Sequence, residues 1–338
     1  MEFFEFLEVL VRGESLTAQQ AQEAMLCLLE GRASPAQIAA FLVALRMKGE
    51  TAEELAGMAR AMREKAERVD AGAPGEPLLD TCGTGGDAAG TFNVSTLAAF
   101  VAAGAGVRVA KHGNRSMSSR CGSADLLEAL GIKIDLVPER VAECIERAGI
   151  GFLFAPVFHK AMKHAVGPRR ELGFRTIFNL LGPLTNPALA DYQIVGVYAP
   201  ELTTPLAEVL GRLGAKRCMV VHGAGGLDEL SLAGPNTAAF FDGAATRSLR
   251  IDAEEFGLTR AANETLTGGD AAENAAITKA ILSGEKGPRR DVVLLNAGAA
   301  IYVAGLAQDI AGGIVKAAES IDSGAALNRL ESLQRMAV

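Results

Sequence analysis

The chain has 338 residues, of which 49% are hydrophobic and 22% are charged, which allows one large or two smaller globular domains. Its formal net charge of −7 argues against nucleic acid as the main partner, because nucleic-acid-binding surfaces are usually basic. The 5 cysteines form no CxxC pair, which is typical of a reducing compartment. The longest apolar tract, 97–107, is too short to span a bilayer, and the acidic first residues do not resemble a signal peptide. We therefore expect a cytoplasmic protein without a membrane segment.

Residues 1–70 are predicted to form a domain of consecutive helices. Thr17, Ser34 and Thr51 are each followed three residues later by Gln or Glu, the pattern of a capping box, and apolar residues then recur at helical spacing. Gly49 follows the second of these segments, as glycine often does where a helix ends. Residues 70–77 are rich in glycine and proline and are predicted to be a hinge.

From residue 78 the pattern changes to alternating strands, turns and helices. This alternation predicts an α/β domain over 78–338 with a mainly parallel, buried sheet. The predicted strands are 78–81, 107–110, 151–155, 193–198, 217–222, 237–242 and 291–295. The predicted helices are 123–130, 138–148, 203–213, 270–283 and 305–321. Residues 156–187 are also predicted to be helical, and 160–187 to pack against the first domain. The expected fold class is α/β, with a small N-terminal helical domain and a larger α/β domain.

The segment 80–87, DTCGTGGD, follows the first predicted strand and precedes Asn93-Val94-Ser95-Thr96, where a helix is predicted to begin. Glycine backbone N–H groups, hydroxyls and a helix N-terminus together favour phosphate binding. The segment lacks the Gly-Lys-Ser/Thr ending of a Walker loop and the Gly-x-Gly-x-x-Gly of a dinucleotide fingerprint. The alternative interpretation is a tight turn that leads into a helix.

A second polar segment, 111–119, has the sequence KHGNRSMSS and follows the second predicted strand. Ligands of open α/β sheets bind at the carboxyl ends of strands, so this cluster of cations and hydroxyls is predicted to hold phosphate as well. The alternative is a solvated polar loop. Two such segments indicate a ligand with phosphates at two ends.

Two pairs of charged residues complete the candidate site. Asp228 and Glu229 follow a predicted strand and a glycine turn, where adjacent carboxylates suit a divalent cation that also bridges to phosphate, although helix N-terminal acids are the alternative. Arg169 and Arg170 suit a planar carboxylate, or else form a solvated basic face. No catalytic dyad or zinc site is evident, and Cys82 is interpreted as a small packing residue.

In their order along the chain, these segments resemble the anthranilate phosphoribosyltransferase family. The similarity includes 80–87, 93–96, 111–119, 170–173, 175–184, 221–223, 226–229 and 268–274. It implies a helical domain that forms a homodimer and is joined by hinges to the α/β domain. It also implies transfer of the phosphoribosyl group of phosphoribosyl pyrophosphate to the amine of anthranilate, with Mg²⁺, in tryptophan biosynthesis. The alternatives are a pyrimidine nucleoside phosphorylase, a non-catalytic nucleic-acid-binding paralogue of the fold, and a nicotinamide dehydrogenase.

The resemblance also implies roles for individual residues. Anthranilate would be bound by Gly83, Asn114 and Arg169, with Arg169 facing its carboxylate. Mg²⁺ would be reached by Ser95, Asp228 and Glu229. Lys111 would stabilise the charge of the leaving pyrophosphate, and no general base is assigned. The residues implied to bind phosphoribosyl pyrophosphate are Gly83, Gly86, Asp87, Thr91, Asn93, Val94, Ser95, Thr96, Lys111, His112, Gly113, Asn114, Arg115, Ser116, Met117, Ser118, Ser119 and Ser123. His159-Lys160 and Gly167-Pro168 depart from the family pattern, so the anthranilate channel is expected to differ in shape.

Overall fold

A computed structural model describes residues 2–71, 76–86, 90–116 and 120–338. The α-helices are α1 (Phe3–Val11), α2 (Ala18–Leu29), α3 (Pro35–Lys48), α4 (Ala52–Lys65), α5 (Val94–Gly104), α6 (Ser123–Ala129), α7 (Pro138–Ala148), α8 (Ala155–Phe158), α9 (Lys163–Leu172), α10 (Phe178–Leu181), α11 (Thr203–Arg212), α12 (Ala271–Leu282), α13 (Pro288–Val303), α14 (Ile310–Asp322) and α15 (Ala325–Met336). The strands are β1 (Leu78–Gly83), β2 (Arg108–Gly113), β3 (Ile150–Phe154), β4 (Tyr192–Gly196), β5 (Arg217–His222), β6 (Asn236–Phe241) and β7 (Thr246–Ile251). Residues 72–75 of the predicted hinge lie outside the described residues.

Helices α2, α3 and α4 begin where the capping boxes predict. The hydroxyls of Thr17, Ser34 and Thr51 accept hydrogen bonds from the N–H groups three residues later at 3.2, 3.3 and 3.2 Å. These bonds satisfy backbone donors that a helix start would otherwise leave unpaired. Helix α3 ends at Lys48, and the following Gly49 has a positive φ of 86°. The helical character predicted for this part of the chain is confirmed.

The seven strands form one sheet with the order β3-β2-β1-β4-β5-β6-β7. The first five strands in this order are parallel, and β6 and β7 are antiparallel. The chain passes outward from β1 to β3 and then returns to the other side of β1 at β4. Open α/β sheets bind ligands at such a reversal, outside the carboxyl ends of the strands. Ligand-binding residues are therefore expected in the segments that follow β1, β4 and β5.

The sequence prediction differs from the structure at three elements of the α/β part. The predicted strand 291–295 lies inside α13, where every residue from Val292 to Ile301 is buried. A helix buried on all sides has the same unbroken apolar run as a buried strand, so periodicity cannot separate them. Strand β7 is absent from the prediction, because it is an edge strand with exposed arginines at 247 and 250. The predicted helix 305–321 begins only at Ile310.

Two hydrophobic cores pack against the sheet. One joins β1, β2 and β3 to helices α5 to α7 and α12 to α15. The other joins α1 to α4 with α9, α10, α11 and alternate residues of β4 and β5, namely Val195, Cys218 and Val220. The N-terminal helices therefore share a continuous core with part of the α/β domain. In this core Ala165, Ile177 and Leu184, from the stretch predicted to return to the helical domain, pack with the N-terminal helices. None of the helices described here combines the length and the apolar character needed to cross a bilayer.

Candidate active site

The glycine loop, residues 83–86, continues from the carboxyl end of β1, where the order of the strands reverses. The Thr84 N–H donates to the carbonyl of Gly196 at the end of β4, at 2.9 Å. Gly85 and Gly86 have φ values of 65° and 80°, a left-handed conformation that glycine adopts without steric cost. The Gly85 N–H donates to Oδ2 of Asp228 at 2.7 Å. The loop after β5 is thereby held directly against the glycine loop.

The N-terminus of helix α5 also contacts the loop after β5. The Ser95 N–H donates to Oε1 of Glu229 at 3.0 Å, so a carboxylate lies at the positive end of the helix. Asn93 is the N-cap residue, as predicted, but its side chain forms no capping bond to the helix. Its Nδ2 donates to the Cys121 carbonyl at 3.1 Å, and its Oδ1 accepts from Asn274 at 3.0 Å. Asn93 therefore connects the start of α5 to the segment after β2 and to α12.

Two buried hydroxyls of this region have no hydrogen-bond partner among the described residues. They are the Oγ1 atoms of Thr84, in the glycine loop, and Thr96, in the first turn of α5. A buried hydroxyl without a partner loses its hydrogen bond to water, a cost that a ligand oxygen can remove. Two buried hydroxyls beside a helix N-terminus together fit a phosphate group.

Lys111 lies in β2 beneath the glycine loop, with only 3% of its surface exposed. Its Nζ donates to the Thr81 carbonyl at 2.5 Å. Burial lowers the pKa of Lys111, while the neighbouring Asp80 carboxylate raises it. Asp80 is completely buried, and burial raises its pKa against the opposing effect of the Lys111 charge. Asp80 also accepts from the His112 N–H at 3.0 Å and from Asn186 at 2.8 Å, which fixes β2 to β1 beside the site.

The segment after β2 is held by carboxylates of α6. Arg115 pairs with Asp125 at 2.9 Å and with Glu128 at 2.5 Å, and these contacts neutralise its charge. Asp125 also accepts from the Ser116 N–H at 3.2 Å. Ser123 donates to the Asn114 carbonyl at 3.3 Å. The Arg115 side chain is thus bound by carboxylates of α6. The exposed Asn114 side chain accepts a hydrogen bond from the Arg115 N–H at 2.7 Å.

Arg169, in the last turn of α9, lies on the side of the N-terminal helices. Its guanidinium carbon is 4.9 Å from the ring centroid of Phe178, and burial lowers its pKa. No carboxylate within the described ranges forms an ion pair with it. A partly buried arginine without an ion-pair partner in the described ranges favours an anionic ligand. Arg170, the other candidate, is exposed.

Two buried histidines form a further polar group. The rings of His112 and His159 are 5.1 Å apart between centroids, and neither Nε2 has a partner in the described part of the chain. Burial lowers the pKa of His112 to about 3 and that of His159 to about 4, so both are neutral at pH 7. Neutral imidazoles can donate or accept a single hydrogen bond to an uncharged ligand group.

Sequence reasoning misses several residues of this region. It names His159 only as a departure from the family pattern, and it gives no role to Asp80 and Asn186, although they hold β1 and β2 together. Asp80 begins the recognised DTCGTGGD segment, so its position is the available signal. Nothing in the local sequence marks Asn186, because its contacts depend on the fold.

The structure brings some of the candidate residues together, places others such as Arg115 and Arg169 apart from them, and does not describe four. Gly83, Gly86, Ser95, Thr96, Asp228 and Glu229 gather at the carboxyl ends of β1 and β5. Thr91 pairs with Thr267 at the edge of this group. Asp87, Met117, Ser118 and Ser119 lie outside the described residues. No group of three or more His, Cys, Asp or Glu able to hold a metal occurs within the described ranges.

Comparison with known proteins assigns the chain to a family. Residues 4–66 match the helical bundle domain and residues 75–327 the a/b domain of a glycosyl transferase family. Anthranilate phosphoribosyltransferase of Moorella thermoacetica is 57% identical over 96% of this chain and 95% of its own. The crystal structure of the enzyme of that name from Thermus thermophilus has a TM-score of 0.93 and 50% identity, over 99% of both chains. The Saccharomyces cerevisiae enzyme in complex with PRPP and Mg has a TM-score of 0.91 and 31% identity, over 99% of this chain and 97% of that one. The chain belongs to the anthranilate phosphoribosyltransferase family.

Proposed function

We propose that this enzyme transfers the phosphoribosyl group of phosphoribosyl pyrophosphate to the amine of anthranilate at the carboxyl ends of β1, β4 and β5. The products are N-(5-phosphoribosyl)anthranilate and pyrophosphate. The observation that carries this proposal is the contact of Asp228 and Glu229 with Gly85 and Ser95, at 2.7 and 3.0 Å. It joins a glycine loop, a helix N-terminus and two carboxylates in one place, as a ligand with a diphosphate and a metal requires.

The phosphate groups of the donor would be held by the glycine loop and the start of α5. The glycines of residues 83–86 would let the phosphates approach the backbone closely, and Thr84 and Thr96 would supply buried hydroxyls without partners in the described part of the chain. The Lys111 ammonium, on the Thr81 carbonyl, provides a buried positive charge beneath the loop. Negative charge grows on pyrophosphate as its bond to ribose C1 breaks, and a preorganised positive charge favours that change.

Mg²⁺ fits the residues of this site. Ser95, Asp228 and Glu229 offer hydroxyl and carboxylate oxygens, the ligands that Mg²⁺ prefers, and too few of them for a closed protein cage. The ion keeps waters and substrate phosphates in its remaining positions in such sites. When bound, it would neutralise charge on the pyrophosphate. The Saccharomyces cerevisiae relative was solved with PRPP and Mg, which supports the same use here.

Anthranilate would bind between the glycine loop and the N-terminal helices. Arg169 would bind its carboxylate, while Gly83 and Asn114 border the acceptor site. An aromatic amine is neutral at pH 7, so the site requires no strong general base, in agreement with the neutral His112 and His159. The main catalytic contribution of the site is to hold the amine in line with ribose C1. Such orientation can lower the activation barrier by roughly 7–11 kcal/mol. The Saccharomyces cerevisiae enzyme was also solved with 4-fluoroanthranilate.

We also infer a homodimer formed through the helical domain. Phe4, Val11 and Met47 are 52%, 75% and 83% exposed on α1 and α3, and Val166 is 55% exposed on α9. Helix α3 packs against both α1 and α9, so these apolar side chains belong to one bundle. Exposed apolar groups concentrated on one part of a protein often mark an interface. None of the 5 cysteines forms a disulfide bond, which supports a cytoplasmic location.

The reaction can be followed by the fluorescence of anthranilate. The chain contains no tryptophan, so little protein fluorescence interferes. We expect the signal to decay after phosphoribosyl pyrophosphate is added, and only with Mg²⁺ present. Absence of decay, together with phosphorolysis of thymidine or uridine, would assign the site to a nucleoside phosphorylase instead.

Arg169→Gln tests the acceptor site. We expect the KM for anthranilate to rise about tenfold or more, because a charge-assisted hydrogen bond to its carboxylate is lost, while the KM for phosphoribosyl pyrophosphate changes little. Lys163→Gln removes a positive charge from an exposed position of the same helix and serves as the control. Equal increases in both KM values would show that Arg169 does not bind the carboxylate.

A further inference from the structure

Arg175 lies in the short connection between α9 and α10 and reaches across to the glycine loop. Its Nη2 donates to the carbonyl of Gly86. Its guanidinium carbon is 4.3 Å from the ring centroid of Tyr198, which follows β4. The planar guanidinium is therefore held between an aromatic face and a backbone carbonyl, an arrangement that lysine cannot reproduce.

The connection that carries Arg175 is itself fixed in the core of the N-terminal helices. Ile177 and Phe178 are 0% and 5% exposed in this core. The Thr176 N–H donates to Oδ1 of Asn179 at 3.1 Å. Arg169 precedes the connection and lies over the ring of Phe178. One short stretch, 169–178, thus carries both the proposed carboxylate-binding arginine and the contact to the glycine loop.

The glycine loop has few other means of holding its shape. Gly85 and Gly86 both adopt positive φ. Because glycine has no side chain, the backbone of this segment can also adopt many other conformations. Thr84 is held by the Gly196 carbonyl and Gly85 by Asp228. At Gly86 a Cβ would come within 2.9 Å of Nε of Arg175, so the loop backbone packs directly on this side chain.

We propose that Arg175 is a positioning residue that holds the glycine loop in the shape that binds phosphate and connects it to the stretch that carries Arg169. The inference rests on the proposed function only for the identity of the ligands. It predicts that the two substrate sites depend on one side chain that lies between them, although Arg175 itself is not assigned to either ligand.

Hydrogen exchange of the protein without substrates tests the positioning role directly. We compare the parent with Arg175→Gln, Arg175→Lys and the control Lys163→Gln, and follow the peptide that contains Gly83 to Gly86. We expect exchange of this peptide to become about tenfold faster in Arg175→Gln, because a charge-assisted hydrogen bond to the loop is lost. Arg175→Lys should lie between that variant and the parent, and the control should match the parent. Unchanged exchange in Arg175→Gln would overturn the proposal.

Steady-state kinetics of the same variants separates positioning from a general loss of structure. We expect Arg175→Gln to raise the KM for phosphoribosyl pyrophosphate about tenfold, with unchanged exchange in the peptides of α2 and α13. Faster exchange throughout the protein would show a structural role only and would also overturn the proposal. If no variant, including the parent, consumes anthranilate, the proposed function fails, while the exchange result still decides the role of Arg175.

Discussion

His112 and His159 are side chains whose chemistry is set by burial. The centroids of their two rings lie 5.1 Å apart. A charged imidazole would lose its hydration there, so both pKa values fall, and the neighbouring His159 lowers the pKa of His112 further. Both imidazoles are therefore uncharged at pH 7, in agreement with a proposed reaction that needs no strong general base.

The pKa of His159 predicts how stability depends on pH. The unfolded chain binds a proton at this residue below about pH 6.5, whereas the folded protein binds it only near pH 4. The stability that neutral His159 contributes is thus present above pH 6.5 and is lost as the pH falls toward 4. We expect His159→Asn to reduce the pH dependence of the unfolding free energy in this interval by up to about 1.4 kcal/mol per pH unit. Urea denaturation of both proteins at about pH 8 and about pH 5 measures this change, and the packing cost of the substitution cancels in the comparison. A slope equal to that of the parent would contradict it.

Strand β4 and the loop after β5 show how elements of the sheet build the site. A Cβ at Gly196, the last residue of β4, would overlap the carbonyl oxygen of Asp228. Glycine at this position lets the loop with Asp228 and Glu229 lie on the end of the strand and reach the glycine loop. The close approach of two backbones, rather than a positive φ, is what requires glycine here.

Gly196→Ala should therefore displace the loop after β5. We expect kcat/KM to fall by about 100-fold, because an error of about 1 Å in the position of a substrate-binding group can have such an effect. Half-saturation with Mg²⁺ should also require a higher concentration. Gly234→Ala is the control, since its Cβ would meet only Ala224 at an ordinary distance of 3.6 Å. A Mg²⁺ titration of activity compares the two variants, and a parent-like curve for Gly196→Ala would show that the loop tolerates the extra carbon.

The same elements show how far the sequence predicts the structure. The capping boxes at Thr17, Ser34 and Thr51 depend on residues three positions apart, and the sequence predicts them correctly. The glycine loop is recognisable because its residue types define its local conformation. The contacts of Gly196 and Asn186 join parts of the chain that are distant in sequence, so no local pattern reveals them. The sequence predicts a strand within α13 for the related reason that burial of this helix on all sides depends on its neighbours.

At the scale of the whole molecule, the N-terminal helices are joined to the α/β part by more than the segment 70–77. Arg63 of α4 donates from Nε to the Leu184 carbonyl at 2.7 Å and from Nη1 to the Leu213 carbonyl, at the end of α11, at 2.9 Å. Burial lowers the pKa of Arg63 to about 10. These bonds and the shared core anchor α4 on the sheet. In the proposed homodimer, the bundle would present its outer surface, on α1 and α3, to the second copy.

Met47→Asp tests whether that outer surface forms the dimer. Met47 is 83% exposed on α3, so the substitution costs little in the monomer, whereas a carboxylate buried at an interface loses its hydration. We expect the dimer dissociation constant to rise by at least about tenfold, measured by sedimentation equilibrium. Val315→Asp is the matched control, because Val315 is 57% exposed on α14 of the α/β part. Dissociation by the control as strongly as by Met47→Asp would place the interface elsewhere, and a parent chain that sediments as a monomer would remove the dimer altogether. Arg169 and Arg175 lie in a stretch whose apolar residues pack in the same helical bundle. If the active site is complete within one chain, the monomeric variant should retain the KM values of the parent.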